Sequence, residues 1–440
     1  MNLTFPDVRT HFPRRRRIAA FATIAVASLL LAGCSAAGPN SSSSADSVKK
    51  LTLWESSSAA QQVGYDQLAA EYKKKTGITV DVVNIPYAGY VPKLRDAAQA
   101  NALPDVASVP ALDPLWTSKL VDLKSIADDK TNNINPNFIH PSNGKVLSIP
   151  SDVTASGLFI NKSLFDQAGV SYPTSPKNTW TWTEFIKAAD EVREKTGAKY
   201  DLTFDPSPSR LRAMVYEMGG QYIHADSSGK FSSDAKTAKA LQYFVSLNND
   251  VIMPKSVWTS GADPSALFQS GQVVAYWSGV WQVSAFATSI TKFDWASVPT
   301  PAQPVQASDV NTGGNLVAFN NSDARGKAAK AFLAWMYNPK QYKQLAQTNG
   351  YLSVESGLNL KYPFTSKAAQ SAFALYNEEL PLYAPISTYF NGAQTKWVLA
   401  GKSLTTDPSV TELGKAINGQ ESVATALKNI VDGYNQQVGK

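Results

Sequence analysis

Short apolar segments alternate with helical patterns from residue 51 onward, and this alternation constrains the fold more than any other feature of the sequence. Residues 51–54, 78–83 and 105–109 have the composition and length of strands. Between them, residues 64–75 and 91–100 carry apolar side chains at helical spacing. This β-α-β-α-β order predicts an α/β fold with a parallel sheet, whose ligand crevice lies beyond the carboxyl ends of the strands.

Residues 1–33 have the pattern of an export signal. Four arginines at 14–17 precede an apolar stretch at 18–31, which is shorter than the roughly 20 residues that a membrane-spanning helix needs. The stretch ends in Leu31-Ala32-Gly33-Cys34, which resembles a bacterial lipobox, so we expect Cys34 to be lipidated. The alternative is an unpaired thiol without that role. Residues 34–47, which are rich in serine and other small residues, predict a flexible tether.

Charge and cysteine content exclude some classes of protein. The formal net charge is +6, but the segment before Cys34 carries most of the excess, and no basic stripe is interleaved with aromatic residues. We therefore expect no nucleic-acid partner. Cys34 is the only cysteine, so no disulfide is expected in the body of the chain.

Further helices are predicted along the rest of the chain. Thr181 and Glu184 have capping-box spacing, which predicts a helix over residues 182–196, and Gly197 ends it. Two apolar segments flank the polar residues 151–156. The other predicted helices cover residues 235–247, 323–337 and, as a pair around Gly419, 409–437.

Four segments resemble, in the same order, a known family: the extracellular binding proteins of carbohydrate ABC importers, including the maltose-binding type. They are the strand and helix start with Asn161-Lys162 and Ala168-Gly169, the helix start Thr181-Trp182-Thr183-Glu184-Phe185, the stretch from Phe268-Gln269-Ser270-Gly271 to Ser278-Gly279-Val280-Trp281, and the crossing Gly313-Gly314-Asn315-Leu316-Val317-Ala318-Phe319.

The resemblance implies a fold and a function. The fold is a two-lobe periplasmic-binding-protein type with a ligand cleft and several crossings between lobes. We place one lobe at 48–153 plus 314–361, and the other at 154–313 plus 362–440. The implied protein is a monomeric, lipid-anchored binding protein on the outer face of the cell membrane. It would capture a sugar or oligosaccharide by lobe closure and deliver it to separate ABC importer permease subunits, without a cofactor or catalysis.

A sugar site needs aromatic rings for the faces of the sugar and fixed polar groups for its hydroxyls. Trp281 matches the family position that stacks on sugar, and Gly279 lets backbone approach closely; the alternative is a core tryptophan. Trp277 is a second candidate, and alternation sends it and Tyr276 to opposite faces, so that one of them is expected in the core.

The remaining candidates lie at strand ends, crossovers and loops. Asp152 is either a ligand contact or the cap of a turn, and Asp113 either a ligand contact or a helix cap. Arg210 is either a ligand contact or a solvated surface charge. The candidates of this group are Trp54, Glu55, Asp113, Asp152, Thr154, Ser209, Arg210, Asn315 and Tyr389.

Enzyme functions have little support in the sequence. No nucleophile elbow, zinc-protease motif, P-loop or dinucleotide fingerprint is present, and His140 and His224 are far apart, so no metal site is expected. The alternative is a secreted glycan-active enzyme, in which two carboxylates across the cleft would hydrolyse a glycoside. A binding protein for a peptide, polyamine or sugar phosphate is another; a phosphate ligand would need several converging donors, whereas the cleft segments offer mainly Arg210.

Overall fold

A computed structural model describes residues 48–56 and 59–439 of the chain. The predicted signal, most of the tether and the predicted lipidation site Cys34 lie outside these residues. Within the described range, every helix is too short or too polar to span a lipid bilayer.

Strands and helices alternate along the described chain. The strands are β1 (Lys50–Glu55), β2 (Thr79–Asn84), β3 (Val106–Val109), β4 (Ile149–Pro150), β5 (Val153–Thr154), β6 (Ser156–Asn161), β7 (Tyr200–Phe204), β8 (His224–Ala225), β9 (Phe231–Ser232), β10 (Val273–Gly279), β11 (Trp295–Val298), β12 (Asn311–Thr312) and β13 (Asn315–Ala318). The helices are α1 (Ala59–Thr76), α2 (Tyr87–Gln99), α3 (Pro114–Thr117), α4 (Lys124–Ala127), α5 (Lys162–Ala168), α6 (Trp182–Thr196), α7 (Pro208–Glu217), α8 (Ala235–Leu247), α9 (Ser256–Thr259), α10 (Pro264–Gln269), α11 (Gln282–Ser289), α12 (Asp323–Met336), α13 (Pro339–Asn349), α14 (Lys367–Glu379), α15 (Tyr389–Leu399), α16 (Ser409–Ile417) and α17 (Val423–Val438).

The first lobe is built on a five-stranded sheet in the order β2-β1-β3-β13-β4. Strands β1, β2 and β3 are parallel, and β13 returns antiparallel beside β3. Leu51 and Leu53 of β1 are 0% and 1% exposed, as the apolar pattern requires. The predicted α/β fold with its parallel strands is confirmed.

Helix α1 begins earlier than its predicted start at Gly64. Gly64 lies inside the helix, where its N–H donates to Asn349 Oδ1 at 2.9 Å. A Cβ at this position would lie 2.3 Å from the same oxygen, so glycine allows α1 and α13 to approach closely. The glycine marks a helix contact and not a helix end.

The second lobe is built on a four-stranded sheet in the order β11-β6-β10-β7. All residues of β6 and β10 are buried. Against this sheet packs α6, whose bounds and capping box, with Thr181 and Glu184 bonded reciprocally, are as predicted. The capping box could be predicted because all of its atoms lie within one helical turn.

The structure corrects the prediction for Trp277. Its side chain is 0% exposed, in the aromatic core of the second lobe, and its Nε1 donates to the carbonyl of Arg210 at 3.1 Å. Tyr276 is also buried, at 1% exposed. Strand β10 is covered on both faces, so alternation sends neither residue to solvent, and Trp277 presents no surface to a ligand.

The two sheets are joined through short crossing segments. The pair β5 and β12 is antiparallel, with Thr154 opposite Asn311, and leads into β6 on one side and β13 on the other. A third connection follows α13, where Leu352 pairs with Val153 before the chain reaches α14 beside β11. The predicted lobe boundaries fall near these connections, and their exact positions stay a prediction.

Candidate functional site

Both sheets point the carboxyl ends of their parallel strands at the crossing strands. In the first lobe, β1 ends at Glu55, and β3 ends at Val109, which is paired with the first residue of β13. In the second lobe, β7 and β10 are parallel, and β10 ends at Gly279 beside the first residue of β6. Groups that leave these ends therefore lie on the side of each sheet that faces the crossing strands, which is the usual ligand position in such sheets.

Trp281 lies two residues after the end of β10 and is 39% exposed, in contrast to the buried strand before it. Its ring lies against Gly279, where a Cβ would come within 2.0 Å of the ring. Any larger residue at 279 would displace the tryptophan. The glycine thus sets the position of the ring at the mouth of the second lobe.

Arg210 packs against Trp281. The guanidinium carbon lies 4.4 Å from the centroid of the indole ring, which is a cation–π distance. Arg210 lies in the first turn of α7, which follows the end of β7, so the parallel neighbours β7 and β10 deliver the two side chains to one place. The structure brings these two predicted residues together.

Burial sets the electrostatics of Arg210. The residue is only 4% exposed, contrary to the surface-charge alternative, and its Nε has no hydrogen-bond partner among the residues that the structure describes. Burial lowers the pKa of the guanidinium, and the negative charges of Asp309 and Asp205 oppose that shift. A buried arginine donor without an acceptor is costly, and a ligand oxygen would satisfy it.

Asp205 is a candidate that the sequence analysis missed. It follows the last residue of β7, and its carboxylate accepts hydrogen bonds from Tyr276 Oη and from Ser278 Oγ, the latter at 2.5 Å. Burial raises its pKa, and these hydrogen bonds and Arg210 act in the opposite direction. Its position directly after a strand is a signal for a ligand contact, but the sequence pattern does not predict β7.

The first-lobe residues Trp54 and Glu55 lie at the end of β1. Trp54 is half-buried, with Lys93 Nζ 5.1 Å from its ring centroid, and its carbonyl accepts a hydrogen bond from Tyr90 Oη at 3.0 Å. Glu55 is 1% exposed. Burial, followed by the charge of Glu55, raises the pKa of the Tyr90 hydroxyl. The ring of Trp54 is therefore partly accessible, whereas Glu55 is buried.

Asp113 is the N-cap of α3, as one of its two interpretations predicted. One carboxylate oxygen accepts from the N–H of Leu115 at 2.9 Å, and the other pairs with Arg95 Nε at 2.8 Å. The carboxylate is 6% exposed. Both oxygens are used within the protein, which confirms the capping role.

Asp152 and Thr154 lie in the first crossing. Oδ1 of Asp152 accepts from Ser151 Oγ at 2.7 Å and from the N–H of Gly314 at 3.1 Å, which ties the two crossing segments together. Burial raises the pKa of Asp152 to about 6, although both hydrogen bonds lower it. Thr154 Oγ1 donates to the carbonyl of Asn311 at 3.2 Å. The arrangement favours a structural role for Asp152 at the junction of the lobes.

Ser209 and Asn315 support their neighbours. Ser209 Oγ accepts a hydrogen bond from Arg212 at 2.9 Å, and Arg212 is paired with Asp309 at 3.0 Å. Asn315 Nδ2 donates to the carbonyl of Pro110 at 3.3 Å and faces a cavity of about 30 Å³. That volume holds only one or two waters.

Helix α15 closes this small cavity from the second lobe with Asn391, Gln394 and Thr395, which the sequence analysis did not single out. Tyr389 lies at the start of the same helix but lines a different cavity, and it accepts a hydrogen bond from the N–H of Ala225 at 3.4 Å. The structure therefore does not bring Tyr389 to the cavity at Asn315. The spacing of Asn391, Gln394 and Thr395 places three polar side chains on one face of a helix, and this pattern is the sequence signal that could have identified them.

Metal chemistry has no support in the described part of the chain, where no group of three or more histidine, cysteine, aspartate or glutamate side chains could hold an ion. The arrangement of an exposed ring, a buried guanidinium and a carboxylate is suited to holding a polar ligand with apolar ring faces.

Comparison with known proteins agrees with this architecture. The chain is 25% identical over 379 residues to the galactooligosaccharide-binding protein of Bacillus subtilis (strain 168), covering 81% of this chain and 85% of that protein. It is 22% identical over 439 residues to a maltooligosaccharide ABC transporter solute-binding lipoprotein of Streptococcus pneumoniae (strain ATCC BAA-255 / R6), covering 94% and 95%.

A crystal structure of the cyclic α-maltosyl-1,6-maltose binding protein from Arthrobacter globiformis has the same fold, with a TM-score of 0.67 and 23% identity over 88% of this chain and 98% of that one. The family model of the bacterial extracellular solute-binding proteins matches residues 67–373, which include strands of both sheets and all three connections between them. With two lobes, a cleft at their crossings and this match over most of its length, the chain belongs to the bacterial extracellular solute-binding proteins.

Proposed function

We propose that this protein captures a sugar or oligosaccharide in the cleft between its lobes and delivers it to the permease subunits of an ABC importer. The observation that carries the proposal is the pair of Trp281 and Arg210, an exposed ring beside a buried guanidinium. A sugar presents C–H faces to a ring and hydroxyl oxygens to such donors. The sugar ligands named for the relatives from B. subtilis and S. pneumoniae support the same class.

The cavity at Asn315 supports capture by lobe movement. With about 30 Å³ it has no room for a sugar ring, so the lobes must separate there before a ligand enters. Binding would then shift the population toward a closed form that the permease recognises. Small-angle scattering with and without a tightly bound sugar tests this step; equal radii of gyration in both states would count against it.

The cellular setting completes the proposal. The protein acts as a monomer without a cofactor, and the lipid on Cys34 holds it at the outer face of the cell membrane, on the tether of residues 34–47. Mass spectrometry of the membrane fraction tests the anchor: Cys34→Ala should abolish the lipidated N-terminal peptide. An unchanged membrane-bound fraction of this variant would argue against the anchor.

A thermal-shift panel on residues 35–440 tests the function itself. Mono- and oligosaccharides, peptides and polyamines are compared, because a ligand that binds the native state raises the melting temperature. We expect a shift with one class of saccharide that is clearly smaller in Trp281→Ala. A shift with a non-sugar solute alone would refute the sugar assignment, and cleavage products from oligosaccharides would indicate an enzyme instead.

A further inference from the structure

Opposite faces of helix α15 line two different cavities. Asn391, Gln394 and Thr395 face the small cavity at Asn315, and one turn later Val398 packs into the first-lobe core. The opposite face, with residues spaced three and four apart, lines a second cavity, which we call the outer cavity. Its helix residues are Tyr389, Gly392, Ala393, Lys396, Trp397 and, just beyond the helix, Ala400.

The outer cavity has a volume of about 720 Å³, within the usual range of small-ligand sites of about 300–1,000 Å³. The β8–β9 hairpin forms its far wall, and the end of α17 closes one side. Tyr389 bridges two of these walls, because its hydroxyl accepts a hydrogen bond from the N–H of Ala225 in the hairpin at 3.4 Å. Three elements of the second lobe thus form most of the cavity wall.

Aromatic rings and polar groups alternate in the wall of the outer cavity. The partly exposed rings of Trp397 and Tyr389 line the cavity, and Trp397 packs edge to face on the buried ring of Phe231, with ring centroids 5.5 Å apart. The charged groups are Asp226 and two lysines, Lys396 and Lys402. Apolar rings with a few dispersed polar groups suit a saccharide unit better than an anion, which needs converging cations.

The second lysine of the wall, Lys402, does not direct its charge into the cavity. Lys402 donates to the carbonyl of Gly439, so its ammonium is held at the chain end. The wall therefore offers the cation of Lys396 but no cluster of converging cations. A neutral, hydroxyl-rich ligand fits this composition.

His140, from the first lobe, lies between the outer cavity and the cleft. Its side chain lines both the small cavity at Asn315 and the outer cavity. It lies against Gly392, where a Cβ would come within 3.3 Å of its Nδ1, and its buried Nε2 has no hydrogen-bond partner in the described part of the chain. A chain of sugar units that leaves the cleft past His140 would enter the outer cavity.

We infer that the outer cavity is a saccharide subsite, which holds further units of an oligosaccharide whose other end lies in the cleft. The inference rests on the proposed function and extends it, because it makes ligand length a determinant of affinity. A mono- or disaccharide fills only the cleft, whereas a longer chain gains contacts with Tyr389 and the hairpin.

Calorimetric titration with two length series tests the subsite: melibiose, raffinose and stachyose, and maltose, maltotriose and maltotetraose. We expect the tetrasaccharide of the series that binds to be held at least about 10-fold more tightly than the disaccharide. Ala393→Trp and Ala400→Trp, which fill the cavity from two positions, should abolish that gain and leave disaccharide affinity unchanged. Ala374→Trp, at an exposed position of α14, is the matched control and should behave as the wild type.

Other outcomes overturn the subsite. Equal affinity for disaccharide and tetrasaccharide, or a length gain that both filled variants retain, would show that the outer cavity takes no sugar while the proposed function stands. An equal loss for short and long ligands in properly folded variants would show the same. No binding by either series also overturns the subsite, whereas the proposed function fails only if the wider panel contains no saccharide that binds.

Discussion

The two walls of the cleft differ in what their polar side chains already contact. On the first-lobe wall, Asp113 has both carboxylate oxygens bonded within the protein, and Glu55 is buried beneath the surface. On the second-lobe wall, Trp281 remains 39% exposed, and Arg210 keeps an unbonded Nε among the described residues. The first wall is therefore mainly a support, and the second presents groups with unmet contacts; Asp152 lies at the junction between them.

The largest expected effect concerns this junction. The folded-state pKa of Asp152, about 6, lies above the ordinary 3.8, so folding disfavours its ionised form. Its contribution to stability is full below pH 3.8 and is lost as the pH rises through 6. Asp152→Asn keeps the Oδ1 acceptor without this charge. Relative to the variant, the wild type should lose up to about 3 kcal/mol of unfolding free energy between pH 3.5 and 8.

Chemical denaturation of both proteins at the two pH values measures this difference. Ser151→Ala, which removes one hydrogen bond but keeps the carboxylate, is the control and should retain the pH dependence. A constant difference between the wild type and Asp152→Asn across this range would mean that the junction does not hold a buried charge.

The second effect compares the two tryptophans across the cleft. Trp281→Ala removes the more exposed ring and should weaken sugar binding by about 30-fold, or about 2 kcal/mol. Trp54→Ala should cost less than about fivefold, because its ring is half-buried beside Lys93. Calorimetric titration of both variants measures the two losses of affinity. A larger loss in Trp54→Ala would reverse the assignment of the two walls.

Arg210→Met is expected to weaken sugar binding by about 10-fold, because it removes the unbonded donor and the cation over Trp281. Methionine keeps much of the side-chain volume, so the fold should remain. Titration of the variant is compared with Arg210→Lys, which keeps the charge and should recover part of the affinity. If both variants lower the melting temperature but bind sugar as the wild type does, Arg210 is only a packing residue.

Asp113→Ala should leave sugar affinity within about twofold of the wild type. It removes the N-cap of α3 and the pairing with Arg95, and should lower the unfolding free energy by about 1 kcal/mol. Denaturation and titration of the same preparation separate the two quantities. A loss of affinity without a loss of stability would place Asp113 among the ligand contacts.

Local patterns predicted much of the fold. The capping box of α6 and the Asp113 cap could be predicted because the atoms involved lie within a few residues of each other. The start of α1 could not, because Gly64 owes its position to Asn349, a contact between residues 285 apart in sequence. Trp277 failed as a ligand residue for the same kind of reason: the cover over β10 comes from distant elements.

The α/β order, the parallel strands and the short list of groups at strand ends follow from the amino-acid sequence, because they depend on periodicity and local hydrogen bonding. Which of those groups are accessible and which are occupied depends on the tertiary structure. Asp205 was missed and Asp113 is occupied because the partners of a carboxylate come from side chains far away in the chain. The two faces of α15 likewise acquire different surroundings only when both lobes pack around the helix, since exposure is a property of the assembled surface and not of any one segment.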